Sequence, residues 1–177
     1  MMEKTALLII DSQEGIFGRG ERAAWRAEET LANIRMLLDY ARETGMPVVF
    51  VQHNDEGLPR GSDGWPICRE IAPHTNEPVV EKNTMDSFYN TDLDAVLKRL
   101  GIKTLILCGM RTEYCVDTAC RRAYTMGYDA YLVSDGHTSR DDGYLTGEQN
   151  VTHHNMILRS EYLQVRTAKE LMEMMRH

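Results

Sequence analysis

The sequence predicts a single doubly wound α/β domain: one parallel β-sheet with helices on both faces, a three-layer sandwich. Two observations carry this. Strand-length apolar runs, "TALLII" at 5–10, "PVVFVQ" at 47–52, "KTLILCG" at 103–109 and "DAYLVSD" at 129–135, contain little of the polar alternation of a half-wet strand, so both faces are expected to be covered. Between them lie stretches with helical periodicity, and apolar strands alternating with helices build parallel sheets.

The elements follow in order. Thr5 to Ile10 is the first strand and ends at Asp11. Ala23 to Glu43 reads as a long helix, with Leu31, Ile34, Leu37, Leu38 and Ala41 on one face; Gly45 closes it and Pro47 blocks its continuation. The second strand, 47–52, leads into a polar, Gly- and Pro-rich stretch from His53 to about Glu77, and connections this long are often functional. Pro78 to Lys82 is a short strand. Leu93 to Leu100 is a helix with Thr91 as N-cap and Gly101 beyond its end. The strand at 103–109 precedes a helix from Glu113 to Met126, stopped at Gly127. After the strand at 129–135, Thr146-Gly147-Glu148-Gln149 is a capping box opening a helix to about Arg159. A short strand at 162–165 and a helix from Ala168 finish the chain.

The totals narrow the function. The 177 residues suffice for one domain, 1–177, with a substantial core. A net charge of -7 argues against nucleic-acid binding, which needs a basic face. No apolar run approaches the roughly 20 residues of a membrane span. Met1-Met2-Glu3-Lys4 leads into a strand without a small-residue cleavage site, so no signal peptide is expected. Four cysteines without CxxC spacing fit a reduced, cytoplasmic protein better than a disulfide framework. Gly15, Gly18 and Gly20 do not form G-x-G-x-x-G and there is no P-loop, which weakens a dehydrogenase or nucleotide-binding reading.

In doubly wound sheets, ligands bind beyond the carboxyl ends of the strands. Asp11, Lys82 and Cys115 all fall at or shortly after such ends. A thiol in the first turn of a helix, near a lysine, is expected to have a lowered pKa and to act as a nucleophile. An aspartate in an apolar crevice can take the thiol proton and deliver it to a leaving amine. Backbone N–H groups around 111–115, at a helix start, could bind an oxyanion.

Those residues sit in three stretches, "LLIIDSQ", "VVEKNTMDSF" and "ILCGMRTEYCVDTACRRAYTMGYDAYLVSDGHTSRD", that resemble the isochorismatase-like cysteine hydrolases. The resemblance runs from Thr5 to the "HHN" at His153–Asn155. It implies Asp11 as general base and acid, Lys82 as an orienting and stabilising cation, and Cys115 as nucleophile. It also implies a cis peptide between Met110 and Arg111, oxyanion donation from the N–H groups of Arg111 and Cys115, and a homo-oligomer, dimer or tetramer, in which a neighbour can complete the pocket.

Each residue also has a plainer reading. Cys115 alone would be a buried small hydrophobe, Lys82 a solvated lysine, and Asp11 a strand end. Cys68, Cys108 and Cys120 read as structural, as does the "HHN". Gln13, two residues after Asp11, is a candidate to orient the site or touch substrate. Phe17, Trp65, Phe88 and Tyr114 are candidate pocket walls, with packing as the alternative. Arg111 and Glu113 are candidates for substrate polarity.

Three branches of the resembled family compete. Nicotinamidases carry a metal site after the second strand, with Asp-x-His and a further His. Here Gln52-His53-Asn54-Asp55 reverses that order, with His74 the only later histidine nearby, so no metal and no cofactor is expected, although His53, Asp55 and His74 remain to be placed. Isochorismate-cleaving members need no cysteine nucleophile. Metal-free amidases of small amides, lactams and ureido or carbamoyl compounds fit best, and "TEYCVDTACRRA", "HTSRD" and "HHN" lean toward the streptothricin-hydrolase side. The alternatives are a nicotinamidase, an isochorismatase-type hydrolase, or a binding protein on the same fold.

Overall fold

In the computed structural model, residues 4–176 are described, the side chains of 160 and 161 excepted; Met1 to Glu3 of the leader reading lie outside the described residues. Six strands form one sheet: β1 (Thr5–Ile10), β2 (Val48–His53), β3 (Val79–Lys82), β4 (Thr104–Met110), β5 (Asp129–Thr138) and β6 (Gln164–Arg166). Their order is β3-β2-β1-β4-β5-β6 and every pairing is parallel. The helices are α1 (Glu14–Phe17), α2 (Ala27–Thr44), α3 (Leu93–Arg99), α4 (Asp117–Thr125), α5 (Gly147–Glu161) and α6 (Ala168–Arg176). Among the described residues no helix is long and apolar enough to cross a membrane.

The continuous apolar runs do what their composition requires. Every residue of β1, β2 and β4 is buried. Side chains alternate across the sheet. Leu8, Ile10, Val49, Val51, Leu105 and Leu107 pack with Leu93, Val96 and Leu97 of α3 and Ala119, Cys120 and Ala123 of α4. Leu7, Ile9, Val48, Phe50 and Ile106 face the other way, onto Leu31, Ile34, Leu37, Leu38 and Ala41 of α2 and Leu171 of α6. Cys120 and Cys108 are core residues on opposite faces, and Cys68 is buried beside α2.

The chain begins in the middle of the sheet, winds outward through β2 and β3, and returns to place β4 on the other side of β1. The switch point therefore lies between β1 and β4, where a crevice opens beyond the carboxyl ends. Two features shape it. Gly109 has φ +127°, and a Cβ there would come within 1.9 Å of the Ile10 carbonyl oxygen, so only glycine lets β4 run this close to β1. Next, the helix predicted from Glu113 starts differently. Thr112–Val116 is a π-helical turn, closed by Val116 N–H donating to the Arg111 carbonyl at 3.1 Å, and α4 begins only at Asp117. Hydrophobic periodicity cannot register one extra residue in a single turn.

The other differences are also local. The short α1 directly after Asp11 was not expected. β5 continues to Thr138, past the expected end at Asp135, because its register shifts relative to β4 and Gly109 and Met110 pair with His137 and Thr138. Thr91 does not cap α3 by itself: Asp92 occupies the cap position, while the Thr91 hydroxyl accepts from Leu93 N–H at 3.3 Å. The capping box at Thr146 and Gln149 forms as read.

Replacing Gly109 by alanine is expected to cost about 2–4 kcal/mol of stability, because both the positive φ and the Ile10 carbonyl oppose a Cβ. Denaturant unfolding of Gly109→Ala beside wild type checks this; an unchanged midpoint would contradict the close approach.

Candidate active site

β1, β2, β3 and β4 each deliver one part of the crevice. Asp11 follows β1 in the left-handed region (φ 46°), a conformation that aspartate tolerates better than most residues, and its N–H donates to the Val51 carbonyl at 2.9 Å. Lys82 ends β3, in register with His53 at the end of β2. After β4 the Met110–Arg111 peptide is cis, and the π-helical turn that follows carries Cys115.

These elements bring Asp11, Lys82 and Cys115 together. The Lys82 side chain has no solvent exposure; its Nζ lies 2.6 Å from Asp11 Oδ2 and 3.3 Å from Cys115 Sγ. The ammonium also donates to the Thr84 carbonyl at 2.9 Å and sits 3.1 Å from His53 Nδ1. Asp11 is thus paired with a buried cation and lies within reach of the Cys115 thiol.

Burial sets the protonation of this group. It raises the Asp11 carboxyl above the usual carboxylate range, against the opposing pull of Lys82 and the Cys115 thiol. The Cys115 thiol is pushed up to about 12, by burial first and the Asp11 charge second; Lys82 offsets this only in part. The expected lowering of the thiol pKa is therefore corrected. A thiol 6% exposed beside a carboxylate loses more from desolvation than it gains from one cation and the start of a helical turn. At rest the proton belongs on sulfur.

Above the three residues opens a cavity of about 250 Å³, lined by Asp11, Ile16, His53, Met85, Met110, Arg111, Tyr114 and Cys115. Apart from its floor and Arg111, the lining is apolar. Met85 and Tyr114 are half-exposed at the mouth. Arg111 packs over the Tyr114 ring, 5.1 Å from its centroid, and pairs with Glu113 at 2.8 Å.

Of the predicted pocket residues, Tyr114 and Arg111 line the cavity. Phe17 and Phe88 do not: Phe17 turns into the core beside α2, and Phe88 packs in the opposite core near Tyr128. Glu113 holds Arg111. Gln13 is fully buried, and its amide exchanges two hydrogen bonds with the His53 backbone (2.9 and 2.7 Å) and donates to the Trp65 carbonyl at 2.7 Å. It ties β1 to β2 and has no group left for substrate. Trp65 contributes that carbonyl, which also accepts from Gln52.

His53 was weighed only as a metal ligand. Its Nε2 lies 2.9 Å from Asp55 Oδ2, and its other nitrogen faces Lys82. His74 lines a groove with Pro47 and Val48, at the opposite end of β2, so it cannot join His53 and Asp55 around one ion. Ile16 and Met85 were also missed, and Met110, named only for the cis peptide, lines the cavity as well. The signal for them was proximity in sequence to Asp11, Lys82 and Cys115. Of the "HHN", Asn155 buttresses the sheet, donating to the Ser134 carbonyl and accepting from buried His137, whose Nδ1 lies 2.8 Å from the Thr112 hydroxyl at the start of the π-helical turn; His154 bonds the Asn150 carbonyl of its own helix.

A family model described as "Isochorismatase domain" matches residues 5–159. The chain belongs to the isochorismatase family of hydrolases. It is 38% identical to the isochorismatase family protein YddQ of Bacillus subtilis over 136 residues, covering 74% of this chain and 76% of that one. It is 35% identical to a streptothricin hydrolase of Streptomyces noursei over 141 residues, 77% of this chain but 50% of that protein. A crystal structure of an isochorismatase family protein superposes with a TM-score of 0.89 at 30% identity, over 94% of this chain and all of the other. The fold that positions Asp11, Lys82 and Cys115 is thus shared with that solved member of the isochorismatase family.

Alkylation by iodoacetamide tests the protonation of Cys115, since the other three cysteines are fully buried. With the thiol near 12, about one part in ten thousand is thiolate at pH 8, so alkylation should be slow there and still rising at pH 10. Asp11→Asn removes a charge that raises the thiol and should speed the reaction; Lys82→Met should slow it. A plateau below pH 8 in wild type would contradict this.

Proposed function

We propose that residues 1–177 form a single hydrolase domain that cleaves a carbon–nitrogen bond of a small amide, lactam, ureido or carbamoyl compound through a thioester on Cys115. The carrying observation is the buried triangle in which Lys82 Nζ lies 2.6 Å from Asp11 and 3.3 Å from Cys115, on the floor of a cavity. The match to a streptothricin hydrolase supports the same reading.

The resting thiol and the raised carboxyl define the first step. A substrate carbonyl enters over Cys115, and Asp11 takes the thiol proton as sulfur attacks the carbonyl carbon. Its raised pKa makes Asp11 a stronger base than an ordinary carboxylate. The oxyanion is held by the N–H groups of Arg111 and Cys115. Tyr114 and Val116 N–H, on either side of Cys115, both donate to the Arg111 carbonyl and so are not available for that role. The tetrahedral species collapses, the carbon–nitrogen bond breaks, and Asp11 returns its proton to the departing amine or ammonia. Asp11 then takes a proton from water, hydroxide adds to the thioester, and the acid leaves as the proton returns to sulfur. Lys82, held against both, stabilises whichever of Asp11 and Cys115 carries the negative charge.

The cavity narrows the substrate. At about 250 Å³ it falls below the roughly 300–1,000 Å³ of sites that enclose drug-sized ligands. It suits a compact amide with an apolar flank against Ile16, Met85 and Met110, or the reacting end of a larger molecule extending past Tyr114. In this reading His53 and Asp55 are paired with each other, and His53 also contacts Lys82.

The experiment is release of ammonia or amine from a panel of nicotinamide, ureido, carbamoyl and lactam compounds, with and without chelator. Chelator-resistant turnover by wild type, falling at least about a thousand-fold in Cys115→Ala, is the expected outcome. A folded Cys115→Ala protein that retains turnover would refute nucleophilic catalysis by the thiol.

A further inference from the structure

An ammonium has three N–H donors and no acceptor, and an imidazole nitrogen accepts only when it carries no proton. The contact of 3.1 Å between Lys82 Nζ and His53 Nδ1 therefore requires Nδ1 to be bare. The proton of a neutral His53 must then sit on Nε2, which faces Asp55 Oδ2 at 2.9 Å. Asp55 is fixed in turn: its second oxygen accepts from Leu58 N–H at 2.8 Å. Gln13 clamps the His53 backbone from the other side. A directed chain runs from the surface to the triangle: Leu58 N–H to Asp55, His53 Nε2–H to Asp55, Lys82 Nζ–H to His53 Nδ1.

We infer that His53 and Asp55 are positioning residues, with Asp55 selecting the Nε2–H tautomer of His53 so that Nδ1 anchors the Lys82 ammonium between Asp11 and Cys115. This rests on the reading of Asp11, Lys82 and Cys115 as the reacting group. Lys82 has four neighbours for three protons: Asp11, Cys115, His53 and the Thr84 carbonyl. His53 and Thr84 anchor it on the sheet side, leaving it a fixed distance from the two groups whose charge changes during turnover. In the other tautomer, Nδ1–H would point at the ammonium. Lys82 would be pushed off its seat without any loss of packing. The groups facing His53 are Lys82 of β3, Asp55 of its own loop and, through its charge, Asp11 beyond β1.

The tautomer gives a test that a merely structural role does not share. In Asp55→Asn the Leu58 hydrogen bond keeps the amide oxygen where Oδ1 was, so the NH2 faces His53 Nε2 and drives the ring proton to Nδ1. In Asp55→Ala no group dictates the tautomer. Asp55→Asn should therefore be the worse enzyme although it is the milder substitution: kcat down about 10–100-fold with KM unchanged, and several-fold below Asp55→Ala. His53→Asn, which keeps an acceptor near the Nδ1 position, should retain more activity than His53→Leu. Two readouts need no substrate. Histidine 15N NMR should give Nε2–H for His53 in wild type and Nδ1–H in Asp55→Asn, with His53→Asn assigning the signal. Cys115 should be alkylated more slowly in Asp55→Asn, as the displaced ammonium no longer offsets the Asp11 charge. A wild-type His53 protonated on Nδ1, or Asp55→Asn matching or exceeding Asp55→Ala in kcat and in alkylation rate, would overturn the inference. Failure of every amide in the panel would sink the amidase reading and leave the NMR and alkylation tests standing.

Discussion

A lysine with no solvent exposure has to find its counter-charge and its hydrogen-bond acceptors inside the protein, and the ion pair of Lys82 with Asp11 is the constraint on which the rest of this site depends. Removing two charges from water costs several kcal/mol each, and the cost is offset only where geometry is good and the remaining donors are satisfied. Here the parallel sheet supplies that geometry. β3 and β2 set Lys82 beside His53 in register, β1 presents Asp11 at its end, and the turn after β4 brings the thiol over both. Each group comes from a different element, so the pair locks the crevice as well as charging it.

The same burial explains the chemistry. A carboxyl raised by desolvation and a thiol raised by both desolvation and that carboxyl share one proton between them, with a fixed cation alongside. In the proposed reaction such a site keeps the Cys115 thiol neutral until a carbonyl is in place. That protects the thiol from casual oxidation and alkylation, since reactivity follows thiolate fraction and exposure. The apolar cavity lining serves the same end, because water excluded by Ile16, Met85 and Met110 strengthens each electrostatic contact on the floor.

Much of this was legible in the sequence, for a physical reason. Continuous apolar runs buried on both faces leave little freedom in strand assignment, and a charged residue that ends such a run must lie at the sheet's rim. Asp11 and Lys82 fall under that rule, Cys115 lies just beyond such a run at the start of a helical turn, and the family resemblance is what joined the three in one site. His53 obeyed it equally, at the end of β2, but its role depends on which nitrogen faces Lys82, a matter of one side-chain torsion. Aromatic walls were illegible for a related reason: Phe17 and Phe88 lie close in sequence to Asp11 and Lys82, yet short segments after a strand can turn a side chain into either core. The π-helical turn and the length of β5 reflect one-residue shifts that periodicity does not record. The direction of the Cys115 pKa was misjudged because sequence reveals the neighbouring charges but not how far they lie from water.

The measurement that bears most directly on this account is interception of the acyl-enzyme. A productive amide is turned over with hydroxylamine present, and the protein is quenched for intact and peptide mass. The account predicts a hydroxamate product in competition with the acid, and the acyl mass on the peptide containing Cys115. Turnover that yields acid alone at any hydroxylamine concentration, with no acyl mass on that peptide, would contradict a thioester on Cys115 and with it the role assigned to the buried triangle.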